Sequence, residues 1–430
     1  MIKSILYVVI FWGAPVYALE ISVGAQARAP IAVGISILGE SVHKVDKLVN
    51  QLKLDLEFSN QIKIDSVNLN AKLPIKEHLQ NLAQKHLPLA ILFNSSTDLP
   101  NQFEWRLYDL LALKMLAGKK VSYQGDLVLV AHDIATQVWQ QLMGEPGVFN
   151  SVIVACQKQK NESKPIQYIY AFHPTRGTEF KKLLVGAPTI NFAPRWHPSR
   201  RLLYFSQYTP KNVRLMSFDE YGKQRVVTDF SGLNLTPTIS AGGQILVSLS
   251  SGGCEKLYRY DFDQEHKSSK FTALTDCRMH AIAPSFIDEE RVVFCGIDAF
   301  SKIPRIVILN IKQHTATFLT GKAFCVSPSY SSAKDKIVYC KKVNGIQQLF
   351  CYDLSAQEHE QLTSSLGDKD DCSWSPCGNY IVFTEYNKKD SRIAIFSWLD
   401  RNIFYLSPKG ESWCFPAWSP RYDDRLFIKC

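Results

Sequence analysis

The sequence predicts a six-bladed β-propeller preceded by a small α/β domain, and a repeated signature is the main observation behind this prediction. The signature begins at positions 194, 237, 284, 328, 372 and 416, so that successive copies are 43, 47, 44, 44 and 44 residues apart. A period of roughly 40 to 50 residues, with several short strands per repeat, is typical of propeller blades. The signature residues are Pro194 with Trp196, Pro237 with Ile239, Pro284 with Phe286, Pro328 with Tyr330, Cys372 with Trp374, and Pro416 with Trp418.

Each repeat also contains short segments with the apolar alternation of β-strands. In the first repeat these are residues 202–206, 213–218 and 224–228, with a turn at residues 219–222. Strand, loop, strand, turn and strand form one antiparallel meander. The equivalent segments elsewhere are residues 244–249 with 257–260, 291–295 with 305–309, 336–340 with 348–352, and 380–384 with 392–397.

The two ends of the repeat region predict how the ring closes. Three predicted strands, at residues 151–156, 167–172 and 180–184, have no signature before them, and one predicted strand, at residues 425–429, follows the last signature. We expect this C-terminal strand to complete the first blade, because closure removes the exposed sheet edges of an open array. The propeller is therefore predicted over residues 146–430.

Residues 19–145 have a different pattern, which predicts a small α/β domain with a mixed sheet. Helices are predicted where apolar residues recur every three or four positions, and Ser41 is the expected cap of the first helix. Gly144 and Gly147 belong to the predicted linker to the propeller. The predicted strands are residues 30–38, 62–67, 89–93, 104–111 and 114–124, and the predicted helices are residues 42–56, 75–86 and 126–143.

Residues 1–18 are predicted to be a signal peptide. One basic residue, Lys3, precedes a short apolar run, and Val16, Tyr17 and Ala18 form a small-x-small cleavage site. Cleavage between Ala18 and Leu19 would release an exported chain. The apolar run is too short to span a bilayer, so a membrane anchor is the less favoured alternative. We expect no stable membrane insertion.

All eleven cysteines lie after residue 150. Because the count is odd, at least one thiol is unpaired within a monomer. Their scatter over separate predicted strands favours buried cysteines that act as small apolar side chains. Zinc binding around Cys372 and Cys377 is the weaker alternative, and disulfides remain possible after export.

The charge pattern favours a solvated surface. The formal net charge is +9, but the basic doublets are dispersed and none belongs to a run of five like charges. This pattern allows a modest attraction to acidic partners, whereas we expect no binding to nucleic acid.

Catalytic signatures are absent from the sequence. It contains no G-x-S-x-G, H-E-x-x-H, P-loop or dinucleotide-binding motif. The histidines are isolated, although His173, His197 and His280 could approach the mouth of the channel; a lone loop histidine is more often a surface residue that forms hydrogen bonds. No catalytic, cofactor-binding or metal-binding residue is predicted.

Several segments resemble the TolB family, the periplasmic component of the Tol-Pal system. They are the closing residues 415–420 (FPAWSP), the other Trp-Ser-Pro-type starts, and the junction at residues 141–149 (QLMGEPGVF). The order of signal peptide, α/β domain, short linker and six blades also matches. The Trp-Ser-Pro-Asp-Gly turn of the family is altered in this chain, and the cysteines are atypical, which indicates a divergent member.

The resemblance implies a non-enzymatic periplasmic protein, expected to be monomeric, that links Pal at the outer membrane and peptidoglycan to the inner-membrane Tol proteins. Such a link would support outer-membrane integrity and constriction during division. The TolA-binding segment would be Leu19, Glu20, Ile21, Ser22 and Val23, able to add as an edge strand or else a disordered terminus. Pal would bind the loops before each signature, through Asn191, Phe192, Leu233, Asn234, Met279, His280, Phe324, Asp370, Asp371 and Trp413.

Three alternatives remain open from the sequence. Phe192 and Trp413 could pack between blades instead of contacting a partner. A secreted propeller enzyme acting on envelope polysaccharide would need clustered carboxylates at the channel mouth, and Asp368, Asp370 and Asp371 form the acidic cluster there. A scaffold for other partners is also compatible with the sequence.

Overall fold

The computed structural model describes residues 29–38, 43–67, 74–95, 101–124, 126–160, 164–235, 237–251, 253–263 and 268–421. The predicted signal peptide, the predicted TolA segment and the predicted strand at residues 425–429 lie outside these residues. Within them, no helix combines the length and apolarity needed to cross a membrane.

The N-terminal part is an α/β unit with a five-stranded mixed sheet. Its strands are β1 (Ile31–Leu38), β2 (Ile62–Ser66), β3 (Leu89–Ser95), β4 (Gln102–Asp109) and β5 (Lys114–Ser122), and its helices are α1 (His43–Glu57), α2 (Ile75–Ala83) and α3 (Leu127–Met143). The strand order is β2-β1-β3-β4-β5, with β1 parallel to β2 and β3 and with β4 antiparallel to both neighbours. The predicted α/β unit is thereby confirmed.

Two helices of this unit share a core with the sheet. Leu48 and Leu52 of α1 and Ile134 and Val138 of α3 are buried in one apolar cluster with Trp105 of β4. The N-terminus of α3 is capped by Asp126, which accepts a hydrogen bond from the backbone N–H of Val128 at 2.9 Å. At the other end Gly144 adopts a left-handed conformation (φ 78°) that ends the helix before the propeller.

The propeller consists of six four-stranded antiparallel sheets, which confirms the predicted number of blades. Blade 1 contains β6 (Ile153–Lys158), β7 (Gln167–Phe172) and β8 (Lys182–Val185), with a 3-10 helix at Gly177–Phe180; blade 2 contains β9 (Asn191–Trp196), β10 (Leu202–Tyr208), β11 (Val213–Asp219) and β12 (Gln224–Thr228); blade 3 contains β13 (Thr238–Ile239), β14 (Ile245–Ser251), β15 (Cys254–Asp263) and β16 (Ser268–Ala273). Blade 4 contains β17 (Met279–Phe286), β18 (Arg291–Asp298), β19 (Pro304–Asn310) and β20 (Thr315–Phe318); blade 5 contains β21 (Cys325–Ser331), β22 (Lys336–Val343), β23 (Ile346–Asp353) and β24 (Glu358–Gln361); blade 6 contains β25 (Asp368–Trp374), β26 (Tyr380–Tyr386), β27 (Ser391–Ser397) and β28 (Ile403–Tyr405); and β29 (Trp413–Trp418) completes blade 1.

The predicted route of ring closure is wrong. The last signature itself, as β29, pairs antiparallel with β6, with Trp413 opposite Gln157 and Trp418 opposite Ile153. Since β6 has β29 on one side and β7 on the other, β29 takes the place that the prediction gave to residues 425–429. The prediction failed because each signature is itself a strand, the innermost of its blade. The prediction treated the signature as a segment that precedes the strands of a blade.

A β-bulge explains why the signature does not read as a strand. Ala193, Ala283, Ser327, Asp371 and Phe415 each precede the first signature residue and adopt left-handed φ values of 48° to 54°. The register of these five inner strands shifts at this position. A bulge inserts an extra residue and re-aims the side chains that follow it, which breaks the apolar alternation.

The signature also joins neighbouring blades by hydrogen bonds. The backbone N–H of Phe286 donates to Thr238 Oγ1, that of Tyr330 to Ser285 Oγ, and that of Trp418 to Ser373 Oγ, at 3.1–3.2 Å. In each case the acceptor is the middle residue of one signature and the donor is the third residue of the next. The signature residues therefore form contacts between neighbouring blades as well as strands within each blade.

The cysteines occupy buried positions shared with other small residues. Cys254 and Cys277 form a disulfide, and the other eight cysteines of the described chain are free and buried. Cys156, Cys295 and Cys340 lie at one equivalent position on the second strand of their blades, where blades 2, 3 and 6 carry Ser206, Ser248 and Thr384. Burial raises the pKa of the Cys295 thiol to about 12, which makes it unreactive.

Candidate functional site

The topology brings the predicted binding positions to one face of the propeller. Inner strands of neighbouring blades contact one another, β9 with β29 and then β29, β25, β21, β17 and β13 in turn, and each inner strand pairs antiparallel with the second strand of its blade. Their N-terminal ends therefore lie on the same face. We call this surface, formed by the loops that precede the inner strands and the loops that join second to third strands, the entry face.

The predicted binding residues are not all in loops, contrary to the sequence-based expectation. Asn191, Met279, Asp370, Asp371 and Trp413 lie within inner strands, and so do Phe192 and His280. The cause is again the bulged signature strand, which begins several residues before the signature proline. Leu233 and Phe324 do lie in loops, and about a third of each side chain is exposed (36% and 37%).

Trp413 is fully buried (0% exposed). Its ring packs edge-on against Tyr170 and Phe172, with ring centroids 5.7 and 6.0 Å away. Its indole N–H donates to Glu411 Oε2 at 2.6 Å. Trp413 thus packs inside blade 1 in this structure and cannot contact a partner directly. Phe192 is half-buried, and its ring lies 6.0 Å from that of Phe415.

Two buried asparagines hold the backbone of the entry face. Asn191 donates to the carbonyl of Gln167 at 2.9 Å and accepts from the side chain of Gln207 at 2.8 Å. Asn234 donates to the carbonyls of Val213 and Phe230, both at 2.8 Å. Because each amide is committed to the first residue of a neighbouring strand, Gln167 or Val213, these two asparagines fix the geometry of the entry face and do not face solvent.

Met279 and His280 begin the inner strand of blade 4 and are half-buried. His280 Nδ1 lies 2.5 Å from Glu255 Oε2 on blade 3. This pair connects two blades at the entry face, with part of the imidazole still open to solvent. His197, by contrast, caps the turn after the signature of blade 2 and accepts from the N–H groups of Ser199 and Arg200.

The acidic cluster of blade 6 belongs to an internal network. Asp371 Oδ2 accepts from Thr384 Oγ1, from the Tyr386 hydroxyl and from the backbone N–H of Phe415, at 3.1–3.2 Å. Burial, reinforced by the charge of Asp370, raises the pKa of the Asp371 carboxyl to about 7.

The other acidic side chains of this cluster also have partners within the protein. Asp370 accepts from Ser327 Oγ at 2.5 Å, and Asp368 accepts from the backbone N–H of Gln347 at 2.7 Å. The three carboxylates therefore serve mainly to join strands and blades. This arrangement does not favour an active site at the mouth.

Sequence reasoning missed the most exposed apolar residues of the entry face. Phe300, in the loop between β18 and β19, is 92% exposed, and Leu366, before β25, is 81% exposed. Tyr208 and Phe230 are about half exposed on the same face. The available signal was a large apolar residue, such as Phe300 or Leu366, that stands alone in a predicted loop.

Three surface pockets, or hollows, open among these loops. One of about 640 Å³ is lined by Phe230, Leu249, Tyr258 and Phe271, and a second of about 640 Å³, between blades 3 and 4, includes Met279. The third, of about 700 Å³, lies on blade 6, and we call it the groove on blade 6. Hollows beside exposed aromatic residues on a rigid scaffold are suited to the binding of protein side chains.

A buried polar cluster joins the propeller to the N-terminal unit. His132 Nδ1 of α3 lies 2.6 Å from Asp55 Oδ2 of α1, and Thr175 Oγ1, in the loop after β7, donates to Asp55 Oδ1 at 2.7 Å. The rings of His132 and His173 stack with centroids 3.9 Å apart. His173 is therefore at the domain junction and not near the channel mouth.

The donor atoms of Asp55, His132 and His173 are close enough to suggest a metal site. The ring lone pairs lie in the planes of the two imidazoles, however, and these planes are nearly parallel (13°). A cation could not meet both rings in plane, and His173 Nε2 already lies 2.8 Å from the Phe149 carbonyl oxygen. The geometry fits a hydrogen-bonded junction better than a metal centre.

Comparison with known proteins places this architecture in a family. The family model described as TolB beta propeller domain matches residues 139–422, more than half of the chain. The chain is 27% identical over 235 residues to the Tol-Pal system protein TolB of Legionella pneumophila (strain Philadelphia 1), and 26% identical over 273 residues to that of Rickettsia canadensis. These alignments cover 53% and 59% of this chain, and 54% and 60% of the length of those relatives.

A solved structure shares the same fold. TolB from Acinetobacter baumannii superposes with a TM-score of 0.75 at 20% identity, covering 91% of this chain and 97% of that chain. The match extends beyond the propeller into the N-terminal unit. From the family match, the six blades and this superposition together, we conclude that the chain belongs to the TolB β-propeller family.

Proposed function

We propose that this protein is a non-enzymatic, periplasmic, partner-binding component of the Tol-Pal cell-envelope system, and that its entry face binds the lipoprotein Pal. The observation that carries the proposal is the concentration of exposed apolar side chains and hollows on that face. A few large apolar side chains on a rigid scaffold can supply most of the free energy of binding at an interface. The assignment to the Tol-Pal system follows from the names of the relatives, each described as a Tol-Pal system protein TolB.

The contacts to Pal are assigned to the exposed residues of the entry face. Leu233, Phe324, Phe300 and the half-buried pair Met279 and His280 are accessible there. The buried members of the predicted set act indirectly, since they hold the loops in place. Asn191, Asn234, Asp371 and Trp413 belong to this second group.

The second partner is proposed to be TolA, bound by the segment Leu19 to Val23. Its alternating apolar residues suit addition as an edge strand to a partner sheet. Together the two contacts would link Pal to the inner-membrane Tol proteins, in support of outer-membrane integrity and constriction. The predicted cleavage between Ala18 and Leu19 would expose this segment in the periplasm.

Calorimetric titration of residues 19–430 with the soluble domain of Pal from the same organism tests the proposal. We expect saturable one-to-one binding that Phe300→Ala and Phe324→Ala weaken, because each removes exposed apolar area. The matched control is Tyr221→Ala, since Tyr221 is similarly exposed (88%) in the β11–β12 turn on the opposite face. Absence of binding at high concentration would overturn the proposal. Equal losses of affinity in all three variants would show that the binding site is not on the entry face.

A separate experiment tests the TolA contact. Deletion of residues 19–23 from the mature chain is expected to abolish capture by immobilised TolA while leaving the titration with Pal unchanged. Retained capture would contradict the assignment of this segment.

A further inference from the structure

We propose that the groove on blade 6 binds a carboxylate-rich segment of a protein partner. This inference rests on the proposed function, because it assigns a chemistry to part of the entry face. The groove has a volume of about 700 Å³, within the range of sites that bury small ligands or peptide side chains. It is lined by Ser365, Leu366, Glu385, Asn387, Lys388, Lys389, Asp390, Arg392, Tyr405 and Lys409.

Three lysines give the groove its positive charge. Lys388 and Lys389 lie in the loop between β26 and β27, and Lys409 lies in the loop before β29. All three are exposed, and among the described residues none of them forms an ion pair. They converge on one hollow from two separate loops.

Arg392 adds a fourth cation, held in place by the protein. Its guanidinium donates twice to the carbonyl of Ser407, at 3.0 and 2.9 Å, and stacks on the Tyr405 ring at 3.7 Å. A guanidinium that is fixed by stacking loses little side-chain entropy when it meets a carboxylate.

The two acidic residues of the lining are occupied by other groups. Glu385 accepts from the Tyr405 hydroxyl at 3.0 Å, and its second oxygen lies 3.7 Å from the ammonium of Lys369. Asp390 accepts from the backbone N–H of Gly410 at 2.7 Å. Lys369 itself is fully buried and donates to three backbone carbonyls, so it balances Glu385 without reaching the groove. Glu385 is thereby balanced, whereas Asp390 keeps its charge, so the lining holds three lysines and Arg392 against one unbalanced carboxylate.

Apolar surface beside the cations favours a peptide over a simple anion. Leu366 is largely exposed at the rim, and Tyr405 offers part of its ring. Lysine side chains add their methylene stems to such a surface. A phosphate group or an acidic polysaccharide has no apolar side chain to place there, whereas a segment that mixes Glu or Asp with Leu has both.

The test uses the mature chain, residues 19–430, and a labelled synthetic peptide of sequence (Glu-Glu-Leu)₃. Fluorescence anisotropy is expected to show binding that weakens as salt rises, because exposed charges are screened. The double variant K388E/K389E should lose at least about tenfold in affinity, which corresponds to about 1.4 kcal/mol. The control K76E/K85E makes the same change in net charge on the N-terminal unit and should bind as the wild type does.

Three results would overturn the inference. They are equal binding of a (Gln-Gln-Leu)₃ peptide, unchanged binding by K388E/K389E with a native circular dichroism spectrum, and competition by inorganic phosphate that sodium chloride at the same ionic strength does not reproduce. Titration of K388E/K389E with Pal separates the two proposals. If the wild type binds Pal and the variant binds it equally, the groove is not a Pal contact and the proposed function stands. If the wild type binds the acidic peptide but not Pal, the proposed function fails alone.

Discussion

Asp55 Oδ2 lies 2.6 Å from His132 Nδ1, and both side chains are almost completely excluded from solvent. The two residues belong to different helices of the N-terminal unit, while Thr175 of the propeller donates to the other oxygen of the same carboxylate. Burial by itself raises the pKa of Asp55, but His132, His173 and the hydroxyl of Thr175 outweigh it, and the pKa is lowered. One buried carboxylate therefore connects the two parts of the chain.

Replacement of Thr175 by valine should destabilise the protein. Valine keeps the shape of the side chain but removes the hydroxyl that donates to Asp55, leaving one oxygen of a buried charge without that partner. The expected loss in the free energy of unfolding is about 1–3 kcal/mol. Urea denaturation measures it, with Thr315→Val as the control, since Thr315 is exposed on the edge strand β20. Equal midpoints for the two variants would show that the contact contributes nothing.

His173 should make stability depend on pH. Burial, followed by the neighbouring His132, lowers the pKa of His173 from 6.5 to about 3, although Asp55 acts in the opposite direction; Arg176 also lowers it. In the folded protein His173 stays neutral, whereas the unfolded chain takes up a proton below pH 6.5. Its contribution to stability is therefore complete above pH 6.5 and declines as the pH falls from 6.5 towards 3.

Denaturation at pH 7 and pH 5 checks this prediction. The decline over that interval is expected to be about 1–2 kcal/mol. His173→Gln, which keeps one donor and one acceptor, should flatten the pH dependence. His86→Asn serves as the control, because His86 is an exposed left-handed residue and asparagine accepts that conformation. A His173→Gln variant whose stability keeps the pH dependence of the wild type would contradict the assignment of this dependence to His173.

The sequence was sufficient for the blades because their strands repeat with a nearly constant period, and for the N-terminal unit because its helices and strands have clear apolar periodicity. It was insufficient for the inner strands, where left-handed Ala193 or Phe415 interrupts the alternation just before a proline. It also missed the junction, because Asp55 and His132 are 77 residues apart and Thr175 lies 120 residues from Asp55. No local pattern links residues at such distances.

The candidate binding face was located from the sequence for a similar reason. Repeat positions fix which end of each blade a residue occupies, so the predicted set does gather on the entry face. They do not fix the direction of a side chain: Trp413, at the start of an inner strand, points into blade 1, whereas Phe300 projects from a loop. The lysines of the blade 6 groove come from two loops whose proximity depends on the fold.

Asp371 should produce a pH dependence of the opposite sign. Its folded-state pKa is raised from 3.8 to about 7 by burial and by Asp370, so the folded protein retains a proton that the unfolded chain releases. The stabilisation from this group is complete below pH 3.8 and is lost as the pH rises through 7. Asp371→Asn should therefore gain stability relative to the wild type as the pH rises from 5 to 8.

Asparagine suits this position because it tolerates the left-handed backbone of Asp371 (φ 54°) and its carbonyl can accept the same hydrogen bonds. Asp335→Asn is the matched control, since Asp335 is also left-handed (φ 52°) but exposed. Thermal denaturation at pH 5 and pH 8 gives the comparison. If the stability of both variants changes with pH as the stability of the wild type does, Asp371 does not carry the retained proton.

Ser373→Ala should weaken the contact between blade 6 and the closing strand. The hydroxyl oxygen of Ser373 accepts a hydrogen bond from the backbone N–H of Trp418, and its removal leaves this donor of β29 without that partner. The expected loss in the free energy of unfolding is about 1–3 kcal/mol, because a buried donor without a partner retains its full desolvation cost. Ser332→Ala, at an exposed position after β21, is the control and should change stability by less than about 0.5 kcal/mol. A Ser373→Ala variant as stable as this control would mean that the signature hydroxyls are not needed to join the blades, and that apolar packing between inner strands alone closes the ring.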